Sequence, residues 1–179
     1  RKQKMLYKKI VTSIYIELLG EAIKNQLTAE HIFQNQIGYD EFDGTVVLLS
    51  ETSIGQILKG KRNMSYNATL AFQATLNYQT PKKLFLQDDF FKIKLLSQLT
   101  TLILNDSSFN NTVLRQTLNQ KISNHYKGDT QYFIQSHKKL LINSLSNFFP
   151  DFPEELSSYE IAEKLTDWLT EFACLISQL

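Results

Sequence analysis

The sequence predicts an all-α protein, and three of its features do so. Apolar residues recur at three- and four-residue spacing along nearly the whole chain, the period of a helix that buries one face. Start and stop signals punctuate them: Ser50, Thr80-Pro81, Asp88-Asp89, Asp129-Thr130 and Ser157 at heads, Gly60, Lys127-Gly128 and Pro150 at ends. The single β-prone run, Thr45-Val46-Val47-Leu48-Leu49, follows Asp43-Gly44 and reads as a small β-hairpin or ordered loop inserted near residues 39–49. At 179 residues the chain suits one domain or two small ones. A chain of that size hides about 70% of its extended surface on folding.

The first helix is expected from Lys4 to Gln26, with Ile10, Ile14 and Leu18 in register and Val11, Leu19 and Ile23 broadening the stripe. Gly20 weakens its middle and marks a bend or a break. Thr28 caps a short second helix that buries Ile32 and Phe33. Ser50 caps the next, in which Ile54, Ile57 and Leu58 share one face and Glu51, Thr52, Gln56 and Lys59 the other. Leu70, Ala71, Ala74 and Leu76 form the inward side of a further helix. Thr80-Pro81 opens another, since proline in the first turn costs no hydrogen bond. Asp88 and Asp89 head a helix carrying Phe90, Ile93, Leu96, Leu99, Leu102 and Ile103, which Asn105-Asp106-Ser107-Ser108 ends. Leu114, Leu118 and Ile122 align in the next. Phe133, His137, Leu140, Leu141, Leu145 and Phe148 lie along one helix from Asp129-Thr130. The last helix starts with the capping box Ser157-Ser158-Tyr159-Glu160.

Net charge is only +1, but it is unevenly spread. Residues 1–86 carry eleven basic and seven acidic side chains, residues 87–179 eight and eleven. Between Thr52 and Gln87 there is no acid, while Lys59, Lys61, Arg62, Lys82 and Lys83 are all basic. Such a local excess in a compact unit attracts a polyanion. Cys174 is the only cysteine, which excludes an internal disulfide and a cysteine-based zinc site. With no apolar run of transmembrane length and no signal-peptide pattern, a cytoplasmic protein without a membrane partner is expected.

One stretch ties these readings together. Ser50, Thr52, Ile54, Ile57, Leu58, Gly60, Lys61 and Arg62, followed by Leu70, Ala71, Leu76, Pro81, Leu84 and Phe85, resemble the recognition helix and the two following helices of the lambda-repressor-like (Cro/XRE) helix-turn-helix family. The resemblance covers roughly residues 14–86. It implies a helix-turn-helix unit at residues 1–86 that docks on double-stranded DNA, and a transcriptional regulator, most often a repressor. Thr52, Ser53 and Gln56 are the candidates for base edges, with Ser50 at the head of their helix. Lys59, Lys61, Arg62 and Asn63 are the candidates for phosphates. The sequence departs from the family in three places. Gln36 to Leu49 is about ten residues longer than the family's turn. Ala29 stands where the family often has glutamine, and Phe33 where it has a small residue. The oversized loop and Ala29 favour a second expectation: a protein–protein interaction module, of the antitoxin or phage-inhibitor kind, on the same scaffold.

Residues 87–179 are expected to form a helical bundle for dimerisation or for binding a protein or small-ligand effector. From Ile161 the apolar positions Ile161, Leu165, Trp168, Phe172, Leu175 and Leu179 alternate in four- and three-residue steps, as in a coiled-coil seam. Ala162, Leu169 and Ile176 widen it. A stripe so broad predicts that part of it, Leu169 and Ile176 included, meets a second copy, giving the homodimer that reading a palindrome requires. The alternative is that the helix closes a monomeric bundle.

Catalytic chemistry finds no motif: there is no glycine-rich phosphate loop, His-x-x-x-His or Gly-x-Ser-x-Gly. Asp40, Glu41 and Asp43 lack the ligand run and terminal glutamate of a calcium loop, and read as a solvated acidic loop. His31 has no histidine or cysteine nearby, whereas His125 and His137 stand where adjacent helices can bring them together. No enzyme, metal or cofactor is expected.

Overall fold

The computed structural model describes residues 2–39, 47, 49–151 and 157–179, residues 2–5 by their backbone alone. The described fold is all-α. It comprises α1 (Lys2–Ala29), α2 (Glu51–Leu58), α3 (Tyr66–Leu76), α4 (Pro81–Leu86), α5 (Asp89–Asn105), α6 (Val113–His125), α7 (Thr130–Ser136), α8 (Lys138–Phe148) and α9 (Ser158–Gln178). Single 3-10 turns occur at Gln34–Gln36 and Ser107–Phe109. Among the described residues there is no strand. Tyr39 and Val47 form one isolated antiparallel bridge where the hairpin is expected. Residues 40–46 and 48, with the acids at 40, 41 and 43, lie outside the described residues.

Three long helices carry the rest. α1 buries Val11, Tyr15, Leu18, Leu19, Ile23 and Leu27, a stripe at helical spacing, and packs on α2, α5 and α9. α5 also meets α6, α7 and α8, while α9 lies across α1 and α6. Tyr15 is fully buried and donates its hydroxyl to the carbonyl of Phe85 at 2.6 Å, tying α1 to the end of α4. Burial pushes that phenol well above its ordinary range. Lys8 and Glu163 pair at 2.5 Å between α1 and α9, and Lys94 and Glu21 at 2.7 Å between α5 and α1. One hydrophobic cluster runs from Val11 to Ile176 and takes in residues from both halves. Between residues 86 and 87 there is only a sharp turn, in which Gln87 adopts φ 53°.

Several expectations are corrected. The short helix from Thr28 is absent: α1 runs on to Ala29, and the Thr28 hydroxyl donates back to the Lys24 carbonyl at 3.0 Å instead of capping a new helix. His31 then reverses the chain at φ 57°. Only a 3-10 turn follows, so Phe33 is 70% exposed rather than buried. Gly20 does not break α1, which is continuous through it. It is buried, and a Cβ there would stand 2.5 Å from the Ile57 carbonyl oxygen, so glycine is what lets α2 lie against α1. In α5 the inward aromatic is Phe91, while Phe90 is 77% exposed. The expected single helix over 130–148 divides at His137, at φ −121°, where the ring turns inward onto Tyr126 and Phe133. His125 is exposed at the end of α6.

The largest correction concerns α9. Ile161, Leu165, Trp168, Leu169, Phe172 and Ile176 are all at most 1% exposed in a single copy of the chain. Trp168 stacks on Phe172 with ring centroids 5.0 Å apart and donates its indole N–H to Ser144. α9 meets α1 on one side and α6 on the other, which consumes the broad stripe. Leu169 and Ile176 therefore do not face outward, and these six residues offer no surface to a second copy.

Candidate nucleic-acid interface

The backbone of α2 is fixed at both ends by its own sequence. At its head the Ser50 hydroxyl accepts the Ser53 N–H at 3.2 Å and donates to the Ser53 hydroxyl oxygen at 3.0 Å. At its tail Gly60, at φ 69°, closes the helix: its N–H reaches the Ile57 carbonyl at 3.0 Å, and the Lys61 N–H reaches Gln56 at 2.9 Å. This reciprocal pair is the Schellman arrangement, for which glycine is the least strained residue. A Cβ on Gly60 would lie 2.5 Å from the Glu17 Cα, so the turn is also pressed against α1.

The turn swings Arg62 back over α2. Its Nη1 donates to the Ser53 hydroxyl at 3.0 Å and to Gln56 Oε1 at 3.2 Å. Guanidinium offers donors only, so Gln56 must turn its oxygen toward Arg62, leaving its –NH2 as the outward donor. Thr52, Gln56 and Lys59 lie at helical spacings that gather them on one face, and all three are exposed, as are Lys61 and Arg62. Among the described residues no ion pair engages Lys59, Lys61 or Arg62, and a cluster of unneutralised cations beside a polar helix face is an anion-seeking surface. Glu51 is the one acid on the helix, exposed at its first position.

The remaining candidates are committed elsewhere. Ser53 is only 9% exposed, and its hydroxyl is shared with Ser50 and Arg62, so it supports the face rather than forming part of it. Ser50 serves as the N-cap. Asn63 is half-buried, and its Oδ1 accepts the Ser158 hydroxyl at 2.8 Å. Lys82 and Lys83 belong to α4, where Lys83 donates to Gln79 at 2.9 Å. Two residues that position the site carry no sequence signal for that role. Gly20 resembles a helix weakness, and Ser158 a capping residue.

The 3-10 turn at Gln34–Gln36 packs against α2. Gln34 Nε2 would lie 3.4 Å from a Cβ at Gly55. Beside this turn stand Phe33, 70% exposed, and Tyr39 and Val47, 44% and 65% exposed. Among the described residues no group of three or more His, Cys, Asp or Glu side chains is placed to hold a metal ion, and no helix is long and apolar enough to cross a membrane. No protein-family model, curated protein or solved structure matches the chain.

Proposed function

We propose that the chain binds double-stranded DNA as a transcriptional regulator, a repressor by occupancy, with the outer face of α2 entering the major groove. The observation that carries this reading is the composition of that face. Thr52, Gln56 and Lys59 are exposed side by side, and the cations of the following turn lie beside them without an ion pair among the described residues. Lys59, Lys61 and Arg62 neutralise phosphates and supply affinity for any sequence. Thr52 and Gln56 read base edges. Because Gln56 gives its oxygen to Arg62, it presents donors, which suit the acceptors of guanine or thymine and not the mixed donor–acceptor edge of adenine. Selection of binders from randomised duplexes tests this. The wild-type protein should enrich a motif in which one position demands guanine or thymine, and Gln56→Ala should lose the preference at that position alone. Failure of the wild-type chain to enrich any motif would contradict sequence-specific readout.

A second reading has its own observation. Phe33, Tyr39 and Val47 expose apolar surface beside α2, and the 3-10 turn stands in place of the family's second helix. That surface suits a protein partner of the kind bound by an antitoxin or inhibitor module. It predicts that Phe33→Ser leaves DNA affinity unchanged while abolishing binding to the partner.

A further inference from the structure

The turn that carries Lys61 and Arg62 is held at its far end by the last helix of the chain. The Met64 N–H donates to the Ser158 hydroxyl at 2.7 Å, and the Ser158 N–H donates back to the Met64 carbonyl at 2.8 Å. The same hydroxyl donates to Asn63 Oδ1 at 2.8 Å. Ser158 is 0% exposed and Met64 1%. One serine thus binds both backbone polar groups of Met64 and the side chain of Asn63, across 94 residues of sequence. It occupies the first turn of α9, whose N–H groups have no partner within the helix, so the Met64 carbonyl satisfies α9 as Ser158 satisfies the turn. The near end is equally fixed, with Gly60 against Glu17 of α1. Residues 61–62 therefore lie between two anchors, one on α1 and one on α9.

We infer that Ser158 is a positioning residue for DNA binding, and that the DNA-reading unit includes the first turn of α9 rather than ending near residue 86. This rests on the DNA reading above and deepens it. Lys61 and Arg62 meet phosphates at a fixed spacing only while Met64 is held. Without the Ser158 hydroxyl the Met64 N–H and the Asn63 side chain lose their partner and the turn loosens, so Lys61 and Arg62 lose more side-chain and backbone entropy on binding. The same connection makes α9 a lever: any ligand or partner that shifts its N-terminus alters the turn, and bound DNA reciprocally favours the docked α9.

The test is a double-mutant cycle on the full chain, read as affinity for a fluorescein-labelled 24-base-pair duplex at low salt. Ser158→Ala alone should weaken binding about tenfold, the order of loss expected when a phosphate-contacting turn is no longer preorganised. Lys61→Ala with Arg62→Ala should cost at least threefold less in the Ser158→Ala background than in the wild type, because the turn is already released. Equal costs in the two backgrounds, with Ser158→Ala folded by circular dichroism, would overturn the inference and leave the DNA reading standing. No duplex binding by the wild-type chain would overturn both. If Ser158→Ala fails to fold, Asn63→Ala removes one arm of the clip at a half-buried position. It should show the same non-additivity, and additivity there overturns the inference equally.

Discussion

Replacing Gly20 by alanine gives the sharpest test of how α2 is seated. The new Cβ would stand 2.5 Å from the Ile57 oxygen, 3.0 Å from the Leu58 oxygen and 3.2 Å from the Gly60 nitrogen. All three are backbone atoms, so no rotamer change relieves the contact. Restoring an ordinary separation requires α2 to move about 1 Å off α1. Overpacking of this kind costs about 1–3 kcal/mol, and the upper end applies where backbone must shift. Alanine in mid-helix returns about 1 kcal/mol of propensity. The net loss is then about 2 kcal/mol, or about 4–8 °C in melting temperature for a chain of this size. Gly55→Ala is the control, since its Cβ would meet only the flexible Gln34 amide, at 3.4 Å. It should keep the propensity gain and melt about 2–4 °C higher than the wild type. Thermal melts followed by circular dichroism measure both. A Gly20→Ala protein melting at or above the wild type would refute the close crossing of α1 and α2.

Other outcomes follow from single contacts. Tyr15→Phe leaves the buried Phe85 carbonyl without its 2.6 Å partner and should cost about 1–3 kcal/mol in urea denaturation; an unchanged midpoint would count against that bond. Leu169→Asp, at a position 1% exposed, should unfold the chain, because an unpaired buried carboxylate costs several kcal/mol, on the order of 3–5. A folded Leu169→Asp protein of smaller mass by sedimentation would restore the outward-facing seam. Hydrogen bonds from the Ser108 hydroxyl and backbone N–H hold the Asp106 carboxyl below its ordinary 3.8. A depressed pKa stabilises the folded state above the unfolded value and ceases to do so as pH falls through the folded one. Asp106→Asn should therefore differ most from the wild type at neutral pH and converge with it in acid, as pH-dependent denaturation will show.

Much of the fold is legible in the sequence because helices announce themselves locally. Ser50, Thr80, Asp88, Asp129 and Ser157 stand at the N-caps of α2, α4, α5, α7 and α9, and capping depends on neighbours two or three residues away. The exposed residues of α2 were legible for the same reason, since a helical period fixes which side chains share a face. What the sequence concealed depends on contacts between distant residues. A period of 3.6 shows that α9 has a broad apolar stripe, but α1 and α6 decide that the stripe is consumed within one chain. Gly20 is a poor helix former by propensity, and only the approach of Ile57 shows why it is useful there. Thr28 has two hydrogen-bonding options, a new helix or the previous turn, and the continuing packing of α1 through Leu27 selects the second. Phe90 and Phe91 are adjacent, so a single-residue shift of register exchanges the buried ring for the exposed one.

The central claim, that α2 and its basic turn form a DNA-binding surface, is tested most directly by the salt dependence of duplex affinity. Three exposed cations, Lys59, Lys61 and Arg62, each releasing a counterion at a phosphate, predict a log–log slope of about −2.7. Removing Lys61 and Arg62 together should bring it to about −0.9, with affinity falling similarly on unrelated sequences. A slope that stays the same in Lys61→Ala/Arg62→Ala, or a wild-type chain that leaves a labelled duplex unbound at 50 mM salt, a concentration of about one-third the physiological value, would contradict it.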